Sequence, residues 1–250
     1  MRNLVITFTI LFSSVAAFAE TSDQYIHRSE FFFCNFNEGK SYADLLEEQA
    51  PYEDFLKEKG LQYNRINLLP IWDNDAEYDY VMWGNWPSGQ DQYKEWGAYM
   101  NDYPKWASDN NVPPQNVGDC AKGAVSMRFH SVLRLRIPME DRDERLFTDW
   151  RRCKLTEDAN VAELKALYAK QEKLAKDFGL NGYGVSFFTP YRGNQTGADW
   201  DFLMMTHWYN AESRMNMISS WAEFSDLLED SGIRKERSKH IESCSGADTY

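Results

Sequence analysis

Two histidines and a row of arginines are the residues of this chain best suited to chemistry. Imidazole is the side chain whose ordinary charge change falls near neutral pH. His130 sits in a β-prone run, Ser126 to Ile137, that alternates in character. Met127, Phe129, Ser131, Leu133, Leu135 and Ile137 share one face; Arg128, His130, Val132, Arg134 and Arg136 share the other. A basic row in an acidic chain suits a carboxylate or phosphate, because arginine offers a planar fork of donors. The alternative is a solvent-facing row paired with nearby Asp and Glu. If the row faces inward, His130 and His207 approach each other and can act as general acid and base.

His207 belongs to a second run, Trp200 to Trp208, which has a counterpart in Tyr78 to Trp86. One face carries Tyr78, Tyr80, Met82, Gly84 and Trp86, matched by Trp200, Phe202, Met204, Thr206 and Trp208. It is nearly all apolar and reads as core. The other carries Asp79, Val81, Trp83 and Asn85, matched by Asp201, Leu203, Met205 and His207. That face is apolar in the middle and polar at its ends, which suits the wall and mouth of a cavity. Trp83, Asn85, Met205, Asp79 and Asp201 are therefore ligand-binding candidates, with Arg128 and His130 orienting an anionic group. The alternative places Asp79 and Asp201 at solvent-exposed strand starts and makes His207 a half-buried structural residue.

The elements that must position these groups come from a repeat. Cys34, Glu38, Ala43, Leu45, Gly60 and Leu61 recur 119 positions later as Cys153, Glu157, Ala162, Leu164, Gly179 and Leu180. The offset grows to 122 for Asp79, Met82 and Trp86, matched by Asp201, Met204 and Trp208. It reaches 124 for Cys120 and Cys244. Offsets constant within segments and stepped between them are what two copies of one fold give when loops change length. Equivalent cysteines sit at equivalent places, so the pairing expected is Cys34–Cys120 and Cys153–Cys244.

Each copy opens with a strand and then a helix. Ser41 caps the first helix with Asp44 at the capping-box position, Pro51 is expected to break or restart it, and Gly60 ends it. Asn160, Glu163 and Gly179 do the same in the second copy. Strands are expected over 65–72 and 184–191, with turns at 74–77 and 193–198, then strands over 78–86 and 200–208. Helices follow, lined by Tyr93, Trp96, Tyr99, Met100 and Tyr103 and by Ile218, Trp221, Phe224 and Leu228. A Pro/Asn-rich loop is expected over 103–119, a closing strand over 126–137, and a charged linker over 138–145.

The order is β-α-β-β-α-β twice, an α+β class built from split βαβ motifs. In this order the chain resembles the dimeric α+β-barrel (ferredoxin-like) superfamily in its tandem-repeat form, two repeats packed sheet to sheet. Only six residues follow Cys244, so the second repeat is expected to lack a full last strand. The resemblance covers nearly all of residues 20–138 and 146–250. It implies a ligand cavity between sheets or between sheet and helices. That superfamily holds cofactor-free monooxygenases, isomerases, decarboxylases, haem enzymes and non-catalytic members.

Residues 1–19 read as a signal peptide. Arg2 precedes the apolar run Leu4 to Val15, and Ala17-Phe18-Ala19 has the form of a cleavage site. The expectation is a periplasmic or secreted protein with no membrane span. A formal net charge of −12 argues against nucleic acid and anionic membranes, which need clustered Lys and Arg. No C-x-x-C, H-E-x-x-H or G-x-S-x-G is present, no metal site is expected, and the sequence names no cofactor. A single histidine axial to haem stays compatible with it. Asn194-Gln195-Thr196 is a glycosylation sequon only where the source has that machinery. Two functions remain. One is binding of a small, partly apolar ligand, with cofactor-free monooxygenase or isomerase-like activity. The other is a non-catalytic exported protein acting through a protein partner. Oligomeric state is not set by the sequence.

Overall fold

The computed structural model describes residues 27–72, 77–120, 125–192 and 199–250. The expected signal peptide, most of the two expected turns and the Asn194 sequon lie outside the described residues. In the first half, β1 (His27–Phe36) and α1 (Tyr42–Lys59) are followed by β2 (Asn64–Leu68) and β3 (Tyr80–Trp86). Then come α2 (Gly89–Asn101), α3 (Tyr103–Asp109), β4 (Gly118–Cys120) and β5 (Val125–Leu135). The second half runs β6 (Phe147–Leu155), α4 (Val161–Asp177), β7 (Tyr183–Arg192) and β8 (Phe202–Trp208). It ends with α5 (Ala211–Ser219), α6 (Trp221–Asp230), α7 (Ile233–Arg237), β9 (Ile241–Cys244) and β10 (Asp248–Thr249).

Local chemistry explains the helix ends. Ser41 and Asp44 form a complete capping box on α1, and Gly60 ends it in the left-handed region. Asn160 caps α4 by accepting from the Ala162 and Glu163 amides. Pro51 does not break α1. Leu45 and Gln49 before it and Tyr52, Phe55 and Leu56 after it are all buried, so packing on both sides holds the helix in line despite the lost hydrogen bond. The expected loop after Tyr103 contains a helix, α3, with its proline in the first turn. Trp106 on α3 packs on Phe55 and donates to Glu58 at 2.7 Å. The last long helix is two, α5 and α6, joined at Ser220.

The strands form one sheet in the order β10-β6-β8-β7-β5-β1-β3-β2, with β4 on β1 and β9 on β6. Each half therefore repeats a single internal order, and β5 pairs with both β1 and β7 to join them. The second repeat's last strand is only two residues long, as expected. Those residues nevertheless close the barrel. Thr249 bridges to Trp72, just past β2, while β10 pairs with β6. The Ile71 amide donates to the Thr249 carbonyl at 2.8 Å, and the Thr249 amide donates to the Trp72 carbonyl at 2.8 Å. Both expected disulfides are present, each joining residues directly opposite on paired strands.

Two kinds of core result. Inside the barrel, Phe31, Trp83, Met127, Trp150, Phe188 and Met205 pack together from both halves. Outside it, α4, α6 and α7 cover one half of the sheet, with Tyr168, Phe187, Phe202 and Phe224 between. Helices α1 and α3 pack over the other half through Tyr52, Phe55 and Leu56.

Candidate functional site

The barrel interior is filled in its middle and open at one mouth. Trp83, Trp150 and Phe188 pack edge to face or tilted within 5.5 Å of one another, centroid to centroid. Beside them lies a cavity of about 1100 Å³ whose floor includes Ile66, Trp83, Phe129, Met205 and Tyr250. Its rim carries Arg65, Arg134, Arg136, Arg142 and Arg145 against Glu53 and Glu144. A positive mouth thus opens on a chain whose net charge is −12.

Strand register sets the wall. One inward rung runs Thr148, His207, Gly184, Arg134 across β6, β8, β7 and β5. The next runs Trp150, Met205, Ser186, Ser131. Gly184 leaves room for His207: a Cβ there would stand 2.5 Å from Cε1 and 2.7 Å from Nε2 of the imidazole. His207 Nδ1 and Ser186 Oγ are buried and have no hydrogen-bond partner. The equivalent place in the first half is closed, because Ser29 donates to Asn85 at 2.7 Å and accepts from Trp83 Nε1 at 3.1 Å.

Two guanidiniums flank His207, each fixed by neutral groups. Arg134 Nε donates to Ser131 Oγ at 2.5 Å. Arg142 donates to the Ile137 carbonyl at 3.1 and 3.3 Å and lies 4.4 Å over the Tyr209 ring. Among the described residues none of Arg134, Arg136, Arg142 and Arg145 is in an ion pair. Burial first, then Arg134 and Arg142, lower the His207 pKa to about 4. The imidazole is therefore neutral at physiological pH.

Of the candidate residues, Trp83, Met205 and His207 meet in this wall. Asn85 is taken up by Ser29. Asp79 and Asp201 occupy equivalent structural posts: Asp79 accepts from the Phe36 amide at 2.8 Å and Asp201 from the Leu155 amide at 2.7 Å. His130 does not approach His207. It pairs across β5 and β7 with Phe187, which packs on Tyr168 of α4, so the sheet lies between the two histidines. Its pKa also falls to about 4, through burial and then Lys165, Arg128 and Arg28. Arg128, opposite Thr189, shares that outward face.

The basic row divides because of a bulge. The β5–β7 register slips between Ser131 and Leu133, leaving Val132 without an opposite residue. Beyond it the faces exchange. Leu133 and Leu135 pack under the helices, and Arg134 and Arg136 turn to the cavity. The cavity arginines are thus a different part of the row from the pair that sequence alternation put beside His130. A second cavity, about 680 Å³, lies between β6–β8 and the helices of the second half, lined by Tyr168, Met204, Trp208, Trp221, Arg234 and Arg237.

Neither cavity fits a haem held by histidine. The second has no histidine in its wall. In the first, His207 packs its Cε1–Nε2 edge over Gly184 and seals Nδ1, so neither nitrogen has clearance for a macrocycle.

No protein-family model matches the sequence, and no curated protein is similar to it. Solved structures do match in shape. A proposed monooxygenase from Lactobacillus acidophilus NCFM superposes with a TM-score of 0.52 at 9% identity, covering 90% of this chain and 92% of that one. An anthrone oxidase-like protein gives 0.46 at 12% identity, with 91% of each chain covered. Chlorite dismutase from Candidatus Nitrospira defluvii gives 0.45 at 9% identity, covering 89% and 90%. At 9% identity the likeness to the Lactobacillus structure is one of fold, an α+β architecture that agrees with the two ferredoxin-like repeats of this sheet. Among the described residues no helix is long and apolar enough to cross a membrane. The two disulfides fit an oxidising, extracellular type of environment.

Proposed function

We propose that this is an exported protein that binds a small, partly apolar molecule in the barrel cavity. The observation that carries the reading is a cavity of about 1100 Å³ whose floor is aromatic and whose rim holds arginines outside any ion pair among the described residues. A concave, mostly apolar space with a few convergent polar groups is the form that small-molecule sites take. Export is supported by the leader-like first 19 residues and by the disulfides.

The finer reading is a cofactor-free monooxygenase or isomerase-like activity. The guanidiniums of Arg134 and Arg142 at the rim can favour the anion of an acidic ligand, which is what a proton-abstracting reaction in the cavity would need. The test is calorimetric titration with 2-naphthoate. Saturable binding that is lost in His207→Trp, which fills the cavity, is the expected result; no binding by the wild type overturns the reading. A second reading is a non-catalytic exported protein acting on a protein partner. It is favoured by Met215, Ile218 and Trp221, which stand exposed around the α5–α6 corner. His207→Ala would leave that action unchanged.

A further inference from the structure

We propose that the cavity's ligand is an amphipathic oxyacid, its anionic group held by Arg134 and Arg142 at the cavity's rim. The inference rests on the reading of the barrel cavity as a ligand site and names the class of molecule it takes. Arg134 stands opposite Gly184, whose missing side chain leaves space that the His207 ring fills, and Arg142 lines the same cavity. Two guanidiniums therefore face one rim above an apolar floor.

Their preparation points to an anion. Arg134 and Arg142 are anchored by a hydroxyl, a carbonyl and an aromatic ring, none of which cancels their charge. In a chain with 39 Asp and Glu against 27 Lys and Arg, two fixed guanidiniums without an ion pair stand out from the general balance. Guanidinium forks match the planar edge of a carboxylate or two oxygens of a phosphate. Holding them in place beforehand removes an ordering cost from binding. The bulge at Val132 is what delivers Arg134 to this face, since unbroken alternation would send it out beneath α4. Behind the cations, Trp83, Phe129, Met205 and Tyr250 give an apolar body somewhere to lie.

The test compares 2-naphthoate, 2-naphthyl phosphate and 2-naphthalenemethanol by calorimetry with the full folded chain. The expected result is that an acid binds at least about tenfold more tightly than the alcohol, as a charge-assisted contact gives. Arg134→Gln and Arg142→Gln should each remove most of that preference and leave the alcohol unchanged. The tighter of the two acids tells whether the head group is a carboxylate or a phosphate. Equal binding of acid and alcohol overturns the inference while leaving the cavity as a ligand site. Failure of all three to bind overturns the underlying reading as well. Should a variant not fold, added salt supplies the same answer on the wild type: it should weaken the acids and spare the alcohol.

Discussion

Between pH 7 and 5 the stability of this protein should be set by buried groups that pull in opposite directions. His207 and His130 each have a pKa near 4 in the folded chain, against an ordinary 6.5. The unfolded chain then binds more protons than the folded one, so stability falls as pH falls through this window. Between pH 7 and 5 each histidine removes about 2 kcal/mol. Burial also lowers the His27 pKa, which acts in the same direction. Glu30 works the other way. It is buried on β1 near Glu95, and burial, followed by repulsion from Glu95, raises its pKa from 4.5 to about 7. The folded chain takes up that proton first, so stability rises by about 2 kcal/mol over the same window. Glu95, raised chiefly by burial, acts in the same direction as Glu30. Over this window Glu30→Gln should lose about 2 kcal/mol more than the wild type, and His207→Gln about 2 kcal/mol less. Urea unfolding at several pH values reads these differences directly. A Glu30→Gln protein that loses no more stability than the wild type between pH 7 and 5 would refute the reasoning.

Other expectations follow from single features. Gly184→Ala should cost about 1–3 kcal/mol by overpacking, because the new Cβ meets the His207 ring and stands 3.1 Å from the Leu133 carbonyl. It should also abolish 2-naphthoate binding, as calorimetry would show. Deleting residues 246–250 removes the Thr249 bridge to Trp72 and should cost roughly 3–5 kcal/mol, with amide exchange quickening at Ile71 and Trp72. The disulfides close spans of 86 and 91 residues, so replacing either pair with alanine should lower stability by about 4 kcal/mol in urea titrations.

The architecture was largely readable because it is written twice. The 119-residue offset placed equivalent strands and helices, and the equivalence of the cysteines fixed the pairing. The strand face of Trp83, Met205 and His207 was readable too, since its polar end breaks an otherwise apolar alternation. The arginine side of the site was not. Leu133 and Leu135 suit the helix-covered face as well as the barrel interior, so the run through Val132 reads as one unbroken strand. Only pairing with β7 reveals the extra residue. The swap of Asn85 for His207 between repeats was the available sign that the second half alone keeps an open polar wall. The closing strand, two residues long, carries no periodicity to detect; its role comes from meeting Trp72 far away in sequence. Pro51 misled because its local cost is overridden by the aromatic packing after it.

The most direct test of where a ligand binds uses two neighbouring methionines. Met205 faces the barrel cavity, and Met204 faces the second cavity under the helices. Methyl-labelled methionine spectra recorded during a 2-naphthoate titration should show the Met205 signal moving in the ring current while Met204 and Met217 stay in place. Movement of Met204 and Met217 with Met205 unchanged would put the ligand beneath the helices and contradict the account.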